Sequence, residues 1–176
     1  MTERIIIAGA GGQGVMLLGK ILADAAMREN KCVTFLPSYG AEVRGGTSHC
    51  MLVISDKEIG SPYVEKADSL IVMNAPSLER FKVRLKAQGL LILNSSLVAK
   101  YAGKKAHVLQ FPFSEMAIQL GNIKVANVIA LGRYLASKKI IRLNTIIKVM
   151  EDMAPQRKKG LIEVNKRALE EGARLR

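Results

Sequence analysis

The chain has 176 residues, 49% of them hydrophobic, and a formal net charge of +12. That length fills one core well and two poorly, so residues 1–176 are expected to form a single domain. No apolar run approaches the ~20 residues that cross a bilayer, and no leader pattern is present, so a soluble cytoplasmic chain with no membrane partner is expected. The charge calls for an anionic partner, but without Trp, and with four Phe and four Tyr standing apart from the basic runs, nucleic acid is a poor fit.

In chain order, the apolar run 4–8 reads as a buried strand. "GAGGQG" follows, and then a helix over 13–28 with Val15, Leu18, Leu22 and Ala25 on one side. The β-rich run 32–36 is the second strand, and strand, turn, helix and strand predict a βαβ unit. After the polar loop "PSYGAEVRGG" come strands at 47–55 and 67–73. A helix is predicted over 76–88, opened by Pro76 and closed by Gly89. Strands at 90–93 and 107–111 follow, and then helices at 115–120, 125–137, 143–153 and 161–175. "APQRKKG" is the expected hinge before the last helix, which presents Leu161, Val164, Ala168 and Leu175 to the sheet or to a neighbouring chain. Alternating strands and helices with a helical final third predict an α/β fold: an open, mostly parallel, Rossmann-like sheet with flanking helices. From Lys138 onward eleven Lys and Arg face five Asp and Glu, a local excess of six positive charges.

Gly9, Gly11 and Gly14 stand in the spacing of a dinucleotide fingerprint, with Gly12 and Gln13 between them. The fingerprint also needs an acid at the end of the second strand to take the ribose hydroxyls, and this strand ends Leu36-Pro37-Ser38. Ser38 with Arg44 would suit a 2′-phosphate, which leaves a stand-alone NADP-binding or phosphate-binding protein as the alternative. Gly14-Val15-Met16 replaces the Gly-Lys-Ser/Thr end of a Walker A loop, so ATP hydrolysis is not expected. The amides opening the first helix remain able to hold an anion.

Cys32 and Cys50 have no C-x-x-C partner, so no zinc or iron–sulfur site is predicted, and both are expected in the core. His49 and Cys50 are adjacent on a strand and point to opposite faces, so they form no catalytic dyad. His49 is expected to be a hydrogen-bonded strand histidine, and His107 an exposed one. Ser95 and Ser96 follow a strand end, with no base marked for either. No catalytic set emerges. The most distinctive stretch is Pro37 to Cys50, with Ser38, Tyr39, the Glu42 and Arg44 pair, Gly45, Gly46 and Thr47. Such loops at strand carboxyl ends are where these sheets place their sites.

Taken in order, "IAGAGGQGVMLLGKILADA", "PSYGAEVRGGTSHC", "LVIS", "ADSLIVMN" and "GNIKVANVIALGRYL" resemble the gamma subunit of 2-oxoacid:ferredoxin (acceptor) oxidoreductases, and "VNKRALEEG" resembles that family's tail. The resemblance implies a non-catalytic partner chain in a complex that decarboxylates a 2-oxoacid oxidatively to an acyl-CoA. It implies alpha and beta subunits carrying thiamine diphosphate and Mg2+, iron–sulfur clusters in cluster-bearing subunits, and ferredoxin reached through the complex. This chain alone would bind no cofactor, and CoA would be a substrate of the complex. The glycine turn (Gly9, Gly11, Gly12, Gln13, Gly14) and the loop residues named above are the implied CoA or subunit-interface elements. "VRGGTSHC" is more similar to 2-oxoglutarate or branched-chain gamma subunits than to the pyruvate type, whose loop reads closer to "RRGAPV", and the 2-oxoglutarate type is favoured.

Overall fold

The computed structural model describes residues 1–38, 47–99, 101, 103, 106–154 and 159–176. Its strands are β1 (Thr2–Ala10), β2 (Cys32–Ser38), β3 (Thr47–Ser55), β4 (Ala67–Val72), β5 (Leu85–Asn94) and β6 (His107–Phe111). Its helices are α1 (Val15–Arg28), α2 (Ala75–Phe81), α3 (Phe113–Gln119), α4 (Ala126–Lys138), α5 (Leu143–Met153) and α6 (Lys159–Arg174). The strands form one sheet in the order β2-β3-β1-β4-β5-β6. The pairs β1–β4, β4–β5 and β5–β6 are parallel, while β3 is antiparallel to both β1 and β2. The open, mostly parallel α/β sheet expected from the alternation of elements is therefore present, with one reversed strand.

The expected βαβ unit, β1-α1-β2, is present as a parallel crossover, but the reversed strand separates its two strands. β1 and β2 run in the same direction, but β3 lies between them and pairs with both, Ile7 opposite Cys50 and Leu36 opposite Met51. Strands consecutive in sequence usually lie side by side; here the nine-residue β3 takes the position beside β1, pairing along its whole length with it.

The second correction concerns α2. It ends at Phe81, a 3-10 turn occupies Lys82–Arg84, and β5 begins at Leu85, so Gly89 lies within a strand. Asn74 caps the helix by accepting from the Ser77 amide at 3.1 Å, and Phe81 fills the core at the other end. Continuing the helical spacing would have buried Leu85 on it. Instead Leu85 pairs with Ala67, and the register then shifts so that Ser69 lies opposite Leu90 and Leu70 opposite Leu91.

Strand alternation divides the core into two layers. Ile5 and Ile7 face one side with Leu18, Leu22, Phe113, Ile129 and Tyr134 from the helices. Ile6 and Ala8 face the other with Leu78 and Phe81 of α2. Burying each such large side chain contributes about 1.5–3 kcal/mol, so the helix-rich first layer carries more of the stability. Glu3, 6% exposed, accepts from Ser69 at 2.6 Å and pairs with Lys138 at 3.1 Å, which fastens the last turn of α4 to β1 and β4. α6 packs along α4 and buries Ala168 and Leu169, with Val164 and Leu175 partly covered and Leu161 exposed. Its apolar stripe thus meets a helix of its own chain. Most of the expected hinge "APQRKKG", residues 155–158, lies outside the described residues.

Candidate functional site

The parallel strands β1, β4, β5 and β6 all end at one edge of the sheet. β1 lies where the chain order reverses, with β3 and β2 on one side and β4 onward on the other. In open α/β sheets that switch point is the usual ligand crevice. The glycine turn sits on it. Gly12 and Gly14 have φ of 87° and 70°, left-handed values that glycine adopts without strain. A Cβ on Gly9 would lie 2.7 Å from Gln13 Oε1 and 3.0 Å from Met73 Cβ, so the turn packs against the end of β4 only because that position is bare.

Gln13 spans the switch point. Its Oε1 accepts from the Ala10 amide at 2.7 Å, and its Nε2 donates to the Met73 carbonyl at 3.2 Å. The side chain thereby ties β1 to β4 across the crevice. No side chain caps α1 and no acidic residue stands in its first turn, so its opening amides keep hydrogen-bonding capacity for an anion. The ribose-binding geometry of a dinucleotide fold is missing, because the end of β2 is separated from β1 by β3, and Ser38 pairs with His49.

Beyond Gln13 lies a cavity of about 480 Å³, bounded by Gly12, Met73, Ser96, Ser114, Glu115, Leu97, Ile118, Ile123 and Lys124. Buried Asn94 organises its floor, donating to Ser114 Oγ at 2.8 Å and accepting from the Ser114 amide at 3.3 Å. Asn127 at the start of α4 is 3% exposed and donates to the Gly14 carbonyl at 3.0 Å. Asn94, Ser114, Lys124 and Asn127 were not among the residues singled out in the sequence. The available signal was an asparagine inside an otherwise apolar helical run, "VANVIALG", which marks a buried amide needing a partner.

Of the distinctive loop, Ser38 ends β2 and Thr47 begins β3, while Tyr39, Glu42, Arg44, Gly45 and Gly46 lie outside the described residues. Thr47 pairs with Ala10, and Ser48 with Gly9, so the start of β3 lies beside the glycine turn. Thr47 Oγ1 also accepts from Arg80 at 2.5 Å. Two motifs far apart in sequence therefore meet at one sheet edge.

His49 and Cys50 point to opposite faces, as strand alternation requires. His49 is 6% exposed, its ring centroid 4.6 Å from that of Phe81, and its Nδ1 is buried with no hydrogen-bond partner among the described residues. The expected hydrogen-bonded histidine is thus packed against Phe81, with this one nitrogen unpaired among the described residues. Burial, and then the nearby Arg80 and Arg84 charges, push its pKa down. Burial pushes the Cys50 thiol up to about 12, which makes it a core residue rather than a nucleophile. Cys32 corrects the other half of that expectation: it is exposed, at the start of edge strand β2. His107 is exposed as expected. No group of three or more His, Cys, Asp and Glu able to hold a metal occurs among the described residues, and no helix among them is long and apolar enough to cross a membrane.

Fold and crevice together define an open α/β domain with a glycine turn at the switch point and no assembled catalytic set among the described residues. The model for the pyruvate ferredoxin/flavodoxin oxidoreductase family matches residues 4–175. Ketoisovalerate oxidoreductase subunit VorA of Methanothermobacter thermautotrophicus is 41% identical over 133 residues, 76% of this chain but only 28% of VorA. The 2-oxoglutarate synthase subunit KorC of Methanocaldococcus jannaschii is 32% identical over 98% of this chain and 92% of its own length. The crystal structure of a keto/oxoacid ferredoxin oxidoreductase gamma subunit from Geobacter sulfurreducens superposes with a TM-score of 0.83 at 29% identity, covering 97% of this chain and 95% of that one. The chain belongs to the pyruvate ferredoxin/flavodoxin oxidoreductase family and is of its gamma-subunit type.

Proposed function

We propose that this chain is the non-catalytic gamma subunit of a thiamine-diphosphate-dependent 2-oxoacid:ferredoxin oxidoreductase, and that the 2-oxoacid is 2-oxoglutarate. The observation that carries the reading is the near end-to-end match with KorC, a subunit of 2-oxoglutarate synthase. VorA, more similar over a shorter stretch, favours a branched-chain 2-oxoacid as the second reading. Oxidation of the 2-oxoacid needs thiamine diphosphate with Mg2+ and iron–sulfur clusters. The thiols here do not suit a cluster: one is buried with its pKa pushed up, and the other stands alone at a strand edge. We assign thiamine diphosphate, Mg2+ and the clusters to alpha, beta and cluster-bearing partners, with ferredoxin as the acceptor of the whole.

In this reading the glycine turn and the loop from Ser38 to Thr47 form a CoA or subunit contact. Arg44 supplies paired N–H donors for a phosphate or carboxylate, and Gly45 and Gly46 let the backbone approach closely. Arg44→Ala is expected to raise the KM for CoA or weaken assembly at least tenfold; normal values for both would remove the loop from the account. Substrate choice is read from ferredoxin reduction by the co-expressed complex with 2-oxoglutarate and with 3-methyl-2-oxobutanoate. The first should be preferred, and preference for the second would establish the branched-chain reading.

A further inference from the structure

A second cavity lies at the opposite end of the strands from the crevice. It has a volume of about 650 Å³, and Thr2, Arg4, Val53, Ser55, Lys66 and Tyr63 are among its lining residues. It exists because α2, seven residues long, covers only the upper part of its sheet face. Arg4 lies on that face, as do its strand neighbours two positions on, Ile6 and Ala8. The cavity mixes polar and apolar lining, and the segment after β3 supplies Glu58, Ile59, Gly60, Ser61 and Tyr63 to it.

The wall is held in place. Asp56 takes Lys31 at 2.7 Å and the N-terminal amine at 2.7 Å, the Lys57 amide donates to Ser55 Oγ at 3.1 Å, and Arg84 stands 4.8 Å from the centre of the Tyr63 ring. The cations here are unequally compensated. Lys86 is paired with Asp68. The Arg4 guanidinium has no hydrogen bond or ion pair, and Lys66 has only the Val83 carbonyl at 2.9 Å, among the described residues. Two cations without a carboxylate partner therefore face one cavity beside the hydroxyls of Thr2 and Ser55, which are 2.9 Å apart. Val53, cross-strand from Arg4, and Ile59 add apolar lining, and Glu58 and Glu65 on the same lining disfavour ligands of high negative charge.

We infer that this cavity is a binding site for a short-chain monocarboxylate, with its carboxylate on Arg4 and Lys66 and its tail on Val53 and Ile59. Paired donors of a guanidinium match a carboxylate's two oxygens. The site is independent of the crevice and of the proposed function.

The test is a titration of the 15N-labelled full chain with butyrate, followed by amide shifts, with sodium chloride at equal ionic strength as control. Saturable shifts at Arg4, Ser55 and Lys66 are expected, with at least tenfold weaker binding in both Arg4→Gln and Lys66→Gln. Two variants, each checked by thermal melt, keep the test open if one folds poorly. Succinate and inorganic phosphate should bind more weakly than butyrate. Shifts that do not saturate, that chloride reproduces, or that survive both substitutions would overturn the site, and tighter binding of phosphate than of butyrate would overturn the ligand class.

Discussion

Gln13 satisfies two backbone groups at once, the Ala10 amide and the Met73 carbonyl, at the point where the sheet would otherwise open into a cleft. Gln13→Ala leaves both to compete for water in a part-buried setting, and a loss of about 1–3 kcal/mol in urea denaturation is expected. His49 yields a second prediction at this scale. Its pKa is lowered by burial and by Arg80 and Arg84, so the folded chain binds fewer protons here than the unfolded chain does. Stability contributed by neutral His49 is therefore present above the unfolded value of ~6.5 and falls as pH drops below it, by up to ~1.4 kcal/mol per pH unit, until the folded group also protonates. Melts between pH 7.5 and 5.5 should show this decline, and His49→Gln should flatten it. The glycine turn was legible from its spacing, and so was the absence of a ribose acid. The roles of Asn94 and Asn127 were not, because each depends on a partner distant in sequence, Ser114 or Gly14.

Periodicity located every strand and most helices to within a few residues, since burial on one face of a helix or strand imprints a local pattern. It could not give β3 its place in the sheet. An apolar strand carries no mark of which neighbour it will pair with, and β3 lies between two strands that precede it. It also overran α2, because Leu78, Phe81 and Leu85 keep helical spacing while Leu85 in fact starts a strand. The contact of α6 with α4 was unreadable for a different reason: it depends on what is missing. A Cβ on Gly132 would collide with the Leu169 carbonyl, and one on Gly172 with the Ile129 carbonyl. Helix propensity favours Ala over Gly by ~1 kcal/mol, but the obstacle is backbone that cannot rotate away. Gly132→Ala and Gly172→Ala should each lower stability by about 1–3 kcal/mol and reduce the Tm. Gly60→Ala, with nothing within 4 Å, should not behave in this way.

At the scale of the whole molecule, a net charge of +12 is large for 176 residues. Such a charge steers encounter with acidic surfaces and is screened by salt. Assembly with partner chains should therefore slow as ionic strength rises, a trend that stopped-flow mixing at increasing salt would measure. The domain also occurs both as most of a separate gamma subunit and as a 28% segment matched within the longer VorA, which is the pattern expected of a module that works against other domains. Size-exclusion chromatography with mass determination on the co-expressed alpha, beta, cluster-bearing and gamma chains, with ferredoxin reduction assayed across the eluate, tests this most directly. The account predicts that this chain travels with the peak that reduces ferredoxin from a 2-oxoacid and CoA. Elution alone at its own 19.2 kDa, while its proposed partners form an active enzyme without it, would contradict the account.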